Sequence, residues 1–256
     1  MLQSGSFNVS AALNAGIRKA CGEYVSFIFV RRLYQNFLKG YLDSARRYSA
    51  DFVFGCWDES EIKAAERRLI SSAVIGAAGT DYMKEILRGH LNLDISALLF
   101  KKSLLTEKHI YFSEDCANGY AEEFIYRTLL HAEHIVQSPT FLIRDNTFEL
   151  KRGKQSNIGK AIFQYADAML RIEAIIRTEF RNDRELLDLF RDMKLPQVLL
   201  FCIDVLLKEG LSVRSVKSYL KRKEYEKLIS SGKYTEVSLR GRIHLWRRVP
   251  WMYRPK

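Results

Sequence analysis

Long apolar runs are missing from this 256-residue sequence. No uncharged stretch, the apolar run at residues 69–80 included, reaches the roughly 20 apolar residues a membrane helix needs, so no bilayer-spanning segment is expected. The opening MLQSGSFNVS lacks a basic start and an apolar centre, which argues against a secretory signal. Cysteine is scarce, and Cys21, Cys56, Cys116 and Cys202 lie far apart with no CxxC pair. That spacing excludes the common zinc and disulfide frameworks and fits a reducing cytoplasm. No internal repeat, low-complexity linker, Walker loop, GxSxG or HExxH occurs, which removes solenoid architectures and the chemistries those motifs serve.

What is present is a globular composition, 47% hydrophobic, with length enough to bury a sizeable core. The formal charge is +11, and it is unevenly placed. Residues 211–256 hold thirteen Lys/Arg against Glu224, Glu226 and Glu236, so ten of the eleven net charges belong to the tail. Such a segment should meet something anionic, either a membrane surface or nucleic acid. Trp246, Trp251, Met252 and Tyr253 stand among its arginines and suit a headgroup interface, with Lys217, Lys221, Arg247 and Arg248 facing the lipid, as well as they suit stacked bases, and composition alone does not choose. A solvated basic helix with a frayed end is the plain alternative.

Periodicity divides the chain near Leu150 into an alternating α/β part, 1–150, and a helical part, 151–256. In the first part the pattern predicts helices over 11–20 and 37–48 and buried strands over 24–30 and 51–57, lying parallel and adjacent. It also predicts a helix over 121–136, with Ile125, Leu129, Ala132 and Val136 on one face, followed by an extended segment at 140–144. In the second part Ile158, Ile162, Tyr165, Met169, Ile172 and Ile176 keep helical spacing. Pro196 opens a further apolar helix that Gly210 stops, and Ser212 caps another that Gly232 ends. His131 and His134, three apart on a helix, have no third ligand in sight and read as a solvent-facing pair.

The order of residues in 8–28, NVSAALNAGIRKACGEYVSFI, resembles the family 2 glycosyltransferase segment GVSxARNxGIxxAxGEY[IV]xF[LI]. Two further blocks are similar: NLDISALLFKKSLL at 92–105 with IYF at 110–112, and AEEFI at 121–125 with LLHAEHI at 129–135 and FLIRDN at 141–146. The last residues, 239–253, look like the basic aromatic end of bacterial members that build surface polysaccharide. The resemblance implies a partial GT-A (Rossmann-like) α/β fold and a UDP- or GDP-sugar donor. The acceptor would be a cell-surface polysaccharide or lipid-linked glycan, met on the inner face of the membrane. It places donor contacts at Asn14 and Gly16 and the catalytic acids at Glu123 and Glu122.

The sequence also departs from that family. The nucleotide-binding strands that precede the first matched helix in the family are not represented, which predicts an incomplete sheet with an exposed apolar edge near 24–30 and a homodimer or a partner transferase to cover it. Leu13 replaces a phosphate-facing arginine. The family's acidic DxDD reads Phe29-Val30-Arg31-Arg32, so no metal is expected there, because a hard cation needs oxygen ligands. Arg31 and Arg32 could neutralise diphosphate instead. A non-catalytic relic, or a binding subunit that docks on a membrane or on a complete transferase, remains the alternative to an active enzyme. A nucleic-acid-binding protein is a third reading, against which no recognised nucleic-acid fold accompanies the charge.

Overall fold

The computed structural model describes residues 8–28, 37–56, 63–65, 78–141 and 159–256. The chain divides into two units, Met1–Glu114 with Phe124–Lys154 and Asp115–Glu123 with Gln155–Lys256. In the first, Asn8 caps α1 (Val9–Lys19) by accepting from the Ala11 N–H at 3.3 Å. There follow β1 (Tyr24–Val25), α2 (Phe37–Arg47), β2 (Phe52–Cys56), α3 (Gly79–Leu87), β3 (Leu98–Lys101), α4 (Lys102–Glu107), α5 (Tyr120–His131) and β4 (Ile135–Phe141).

The α/β class is the one expected, but the sheet is mixed. Its strand order is β1-β3-β2-β4. β3 pairs antiparallel with both β1 and β2, and β2 pairs parallel with β4. The strands expected to be neighbours, β1 and β2, therefore run in the same direction with β3 between them. β1 keeps only two residues, and positions 29, 30 and 57 of the expected strands lie outside the described residues. Among the described residues β1 is an edge, as expected, yet Val25 and Phe27 are buried there, and of the apolar side chains only Ile28 is largely open.

β2 is buried at all of its positions, because the sheet is covered on both faces. On one face α2 sets Tyr41 and Ala45 against Val53, Leu99 and Val136. On the other, Phe124 of α5 stacks on Phe112 with centroids 3.9 Å apart and meets Phe100 edge-on at 5.4 Å. Phe27 joins the same cluster.

The helix expected over 121–136 stops at His131. Asp51 carries the reason: its Oδ2 accepts from the backbone N–H groups of Glu133 and His134 at 3.3 and 3.2 Å, pinning a turn. Ile135 and Val136 then pair with Phe52 and Val53, where β-branched side chains pack better than in a helix. Among the described residues β4 pairs with β2 alone, and it is this edge position that tolerates Pro139, beside an irregular register.

The second unit is helical: α6 (Gln164–Glu179), α7 (Arg184–Leu189), a π turn (Phe190–Lys194), α8 (Leu195–Lys208), α9 (Val213–Arg222) and α10 (Val237–Arg248). The apolar α8 packs against α6, α9 and α10. Pro196 stands in the first turn of α8, as expected, although α8 follows the π turn without a break in the helical run from α7. A proline cannot donate to the carbonyl four residues back and clashes with it, and a widened turn relieves both. The carbonyl in question belongs to Asp192, and the Thr235 hydroxyl donates to it at 2.9 Å. Gly210 ends α8 with φ +89°. Ser212 caps α9, accepting from the Ser215 N–H at 3.2 Å. α9 ends at Arg222 rather than at Gly232, with Glu224 at φ +60° making the reversal. Gly232 lies against Asp192 instead, where a Cβ would come within 2.0 Å of the carboxylate.

Candidate functional site

Four of the six expected site residues can be placed; Arg31 and Arg32 lie outside the described residues. Asn14 is buried on the inner side of α1. Its Nδ2 donates to the Phe112 carbonyl at 2.9 Å and to Glu114 Oε1 at 3.0 Å, and its Oδ1 accepts from the Phe112 N–H at 2.8 Å. Both amide protons are thus engaged within the protein, and the side chain ties α1 to the 112–114 segment. Gly16, one position from the next turn, is exposed, and a Cβ there would meet nothing within 4 Å. The α1 surface is open for close approach at this point.

Glu122 and Glu123 lie in the first turn of α5, where the helix dipole favours negative charge. Gly119 precedes them at φ +86°, and a Cβ there would come within 2.4 Å of the Tyr165 ring, so the left-handed turn and the close approach both call for glycine. Glu123 is buried. Arg171 of α6 grips it bidentately, Nε to Oε1 at 2.7 Å and Nη2 to Oε2 at 2.8 Å, and the hydrogen bond to Glu123 pushes the guanidinium further up from its already high range. Glu122 is more open, with 28% of its side chain exposed against 3% for Glu123. Its Oε1 accepts from Lys194 Nζ at 2.5 Å, and its Oε2 accepts from the Tyr165 hydroxyl. Burial, then the neighbouring carboxylate, push the Tyr165 phenol far above its ordinary value, so it stays protonated and donating. Lys194 is the last residue of the π turn, which is how that irregularity bears on this cluster. Cys116 lies near Arg171, and burial raises its thiol, so it is no ready nucleophile.

Arg171, Lys194 and Tyr165 are the residues that reading the sequence did not find. They stand 48, 72 and 43 positions from their carboxylates, and no local spacing marks such partners. Glu122 and Glu123 had been legible only through the resemblance.

His131 and His134 are not a helical pair. His131 ends α5 with Nδ1 donating to the Arg127 carbonyl at 2.7 Å, and His134 lies beyond it, near Asp51. Among the described residues no group of three His, Cys, Asp or Glu side chains is placed to hold a metal ion. Residues 29–32, which lie outside the described residues, carry no side-chain oxygen in the sequence.

The fold, a mixed α/β sheet and a helical unit with two acids in the first turn of α5, is similar to that of a solved glycosyltransferase. The structure is similar to residues 1–349 of Staphylococcus aureus TarS, a glycosyltransferase, with a TM-score of 0.56 and 14% identity over 96% of this chain and 68% of that one. The same fragment in complex with UDP-GlcNAc gives a TM-score of 0.55 and 13% identity over 96% and 69%. At such identities the likeness is one of fold. No protein-family model matches the chain, and no curated protein matches it in sequence.

Proposed function

We propose that the chain is a glycosyltransferase that moves a sugar from a UDP- or GDP-sugar to a hydroxyl of a cell-surface polysaccharide or lipid-linked glycan. The observation that carries this reading is the likeness of 96% of the chain to a fragment that is also solved with UDP-GlcNAc. The reaction breaks the bond between the anomeric carbon and the diphosphate as the acceptor oxygen bonds to that carbon, and the acceptor's proton passes to a carboxylate. Glu122 and Glu123 are assigned that work. The open side chain of Glu122 supports it as the group that meets the acceptor, while Glu123, gripped by Arg171, holds the start of α5 in position. Arg31 and Arg32 stabilise the departing diphosphate without a metal, and Asn14 and Gly16 set α1 against the donor.

The test is calorimetric titration with UDP-GlcNAc and GDP-mannose, with Mn²⁺ and with EDTA, beside measurement of nucleoside diphosphate release. Donor binding in EDTA is expected; binding that needs Mn²⁺ would sink the metal-free reading. Glu122→Gln should lower turnover by about 10²–10⁴-fold with donor affinity kept, whereas Glu123→Gln should chiefly lower stability.

Two observations favour a second reading. Positions 29–32 carry no acid, and both acids of α5 are ion-paired. On that reading the chain is a non-catalytic binding subunit, as a homodimer or on a complete transferase. Failure of every donor to bind would establish it over the first.

A further inference from the structure

The tail's cations and aromatics sort into two sets. Trp246, expected at a lipid interface, is only 1% exposed and meets the buried Tyr253 edge-on at 5.3 Å. Arg240 is bonded to the Gly232 and Thr235 carbonyls, and Arg242 to the Asp204 carboxylate at 2.6 Å. These groups hold the unit together and are not offered to a partner. Trp251 and Met252 are the opposite, 70% and 58% exposed, side by side in the short 3₁₀ turn Pro250–Met252. Around them in the chain stand Arg247, Arg248, Arg254 and Lys256, all exposed, with no ion pair on any of them among the described residues. Residues 237–256 contain no Asp or Glu.

The turn is also held in place. Asp204, buried on α8, accepts from the Tyr253 hydroxyl at 2.7 Å, from Arg242 at 2.6 Å and from the Lys256 backbone N–H at 3.3 Å. On the other side the Val249 N–H bonds back to the Leu245 carbonyl at 3.0 Å. A tryptophan and a methionine are thus displayed on an ordered turn, so docking would carry little further loss of conformational entropy.

We infer that the Pro250–Met252 turn is a wedge that docks on an anionic lipid surface, Trp251 and Met252 entering the headgroup boundary while Arg247, Arg248, Arg254 and Lys256 meet lipid phosphates. Indole prefers that boundary, where its ring is in apolar surroundings and its N–H is hydrated. The flanking cations supply the attraction to anionic lipid. Nucleic acid would use the same cations but reads better with aromatic faces in series along a groove. Here a flexible thioether accompanies a single exposed indole. The inference stands apart from the transferase reading, since it rests on the helical unit alone.

Sedimentation of the full chain with vesicles of phosphatidylcholine, with and without about a third phosphatidylglycerol, tests it. Binding to the anionic vesicles alone is expected, falling with salt. The double variants Trp251→Ala/Met252→Ala and Arg247→Glu/Arg248→Glu should each weaken it by about tenfold or more, with unchanged thermal unfolding, because all four side chains are exposed. Vesicles should shift the wild-type tryptophan emission to the blue, and Trp251→Phe should remove most of that shift while the chain still binds. Absence of wild-type binding, variants that bind as well as wild type, or tighter binding of RNA or duplex DNA in a parallel gel shift would each overturn the inference.

Discussion

Glu123 is buried with a guanidinium on both oxygens, and the loss of that partner would leave a carboxylate without its main counter-charge. Arg171→Ala is expected to cost about 2–4 kcal/mol in urea unfolding, less than the roughly 3–5 kcal/mol of breaking a fully buried pair, because Arg171 itself is partly hydrated. Arg171→Lys should recover part of this, since the charge returns but the fork does not; equal stability of the two variants would refute the bidentate account. Gly16 behaves in the opposite way. It sits within α1 with open space at its Cβ position, so Gly16→Ala should stabilise the chain by about 0.5–1 kcal/mol. If the donor approaches α1 closely there, the same variant should bind UDP-GlcNAc more weakly, and a titration beside the unfolding curve separates the two effects.

At the level of elements, the π turn is explained by a neighbour distant in sequence. Pro196 cannot bond to the Asp192 carbonyl, and Thr235 does so instead, while the Asp192 carboxylate accepts from the Tyr234 N–H at 3.0 Å. The loop before α10 is therefore fastened to the irregular turn between α7 and α8. Thr235→Val keeps the shape but removes the hydroxyl, leaving the half-buried Asp192 carbonyl and the Gly232 N–H without that partner. It should cost about 1–3 kcal/mol and, by loosening the π turn, disturb Lys194. A Thr235→Val chain as stable as wild type would show that water satisfies that carbonyl equally well.

Across the whole molecule, tyrosines bind the structure through protonated hydroxyls. Tyr165 donates to Glu122, Tyr225 to Asp167 and Tyr253 to Asp204. Burial in each case, followed by the adjacent carboxylate, lifts the phenol above the ordinary value of 10.0. Tyr41, buried against the sheet, is lifted by burial as well. A phenol that titrates higher in the folded chain than in the unfolded one binds its proton more tightly when folded. Its stabilising contribution is therefore complete below about pH 10 and is lost as the pH rises beyond it. Unfolding temperature should stay level up to that point and then fall steeply, with tyrosine ionisation at 295 nm appearing together with unfolding. Ionisation of these tyrosines well before unfolding would contradict the arrangement.

Much of the secondary structure was written locally. Asn8 and Ser212 cap α1 and α9 because a short polar side chain before an apolar-periodic run satisfies the first free N–H groups. The apolar string at 52–56 became a strand, and Gly210 ended α8, for equally local reasons. The basic bias of the tail is likewise plain in the sequence, whereas the acids of α5 stand out there only through the resemblance. Only the tertiary structure decided that β3 separates β1 from β2, that α5 gives way to β4 where Asp51 pins the turn, and that Pro196 lies within a helical run. It also decided that Trp246 and Tyr253 turn inward while Trp251 and Met252 stay out. Periodicity specifies a face and a repeat, but not which distant segment that face will meet. Partners such as Arg171 and Lys194 lie tens of residues from Glu123 and Glu122, and their choice emerges only when the apolar faces of the helical unit's own elements pack and fix which charged groups are left together.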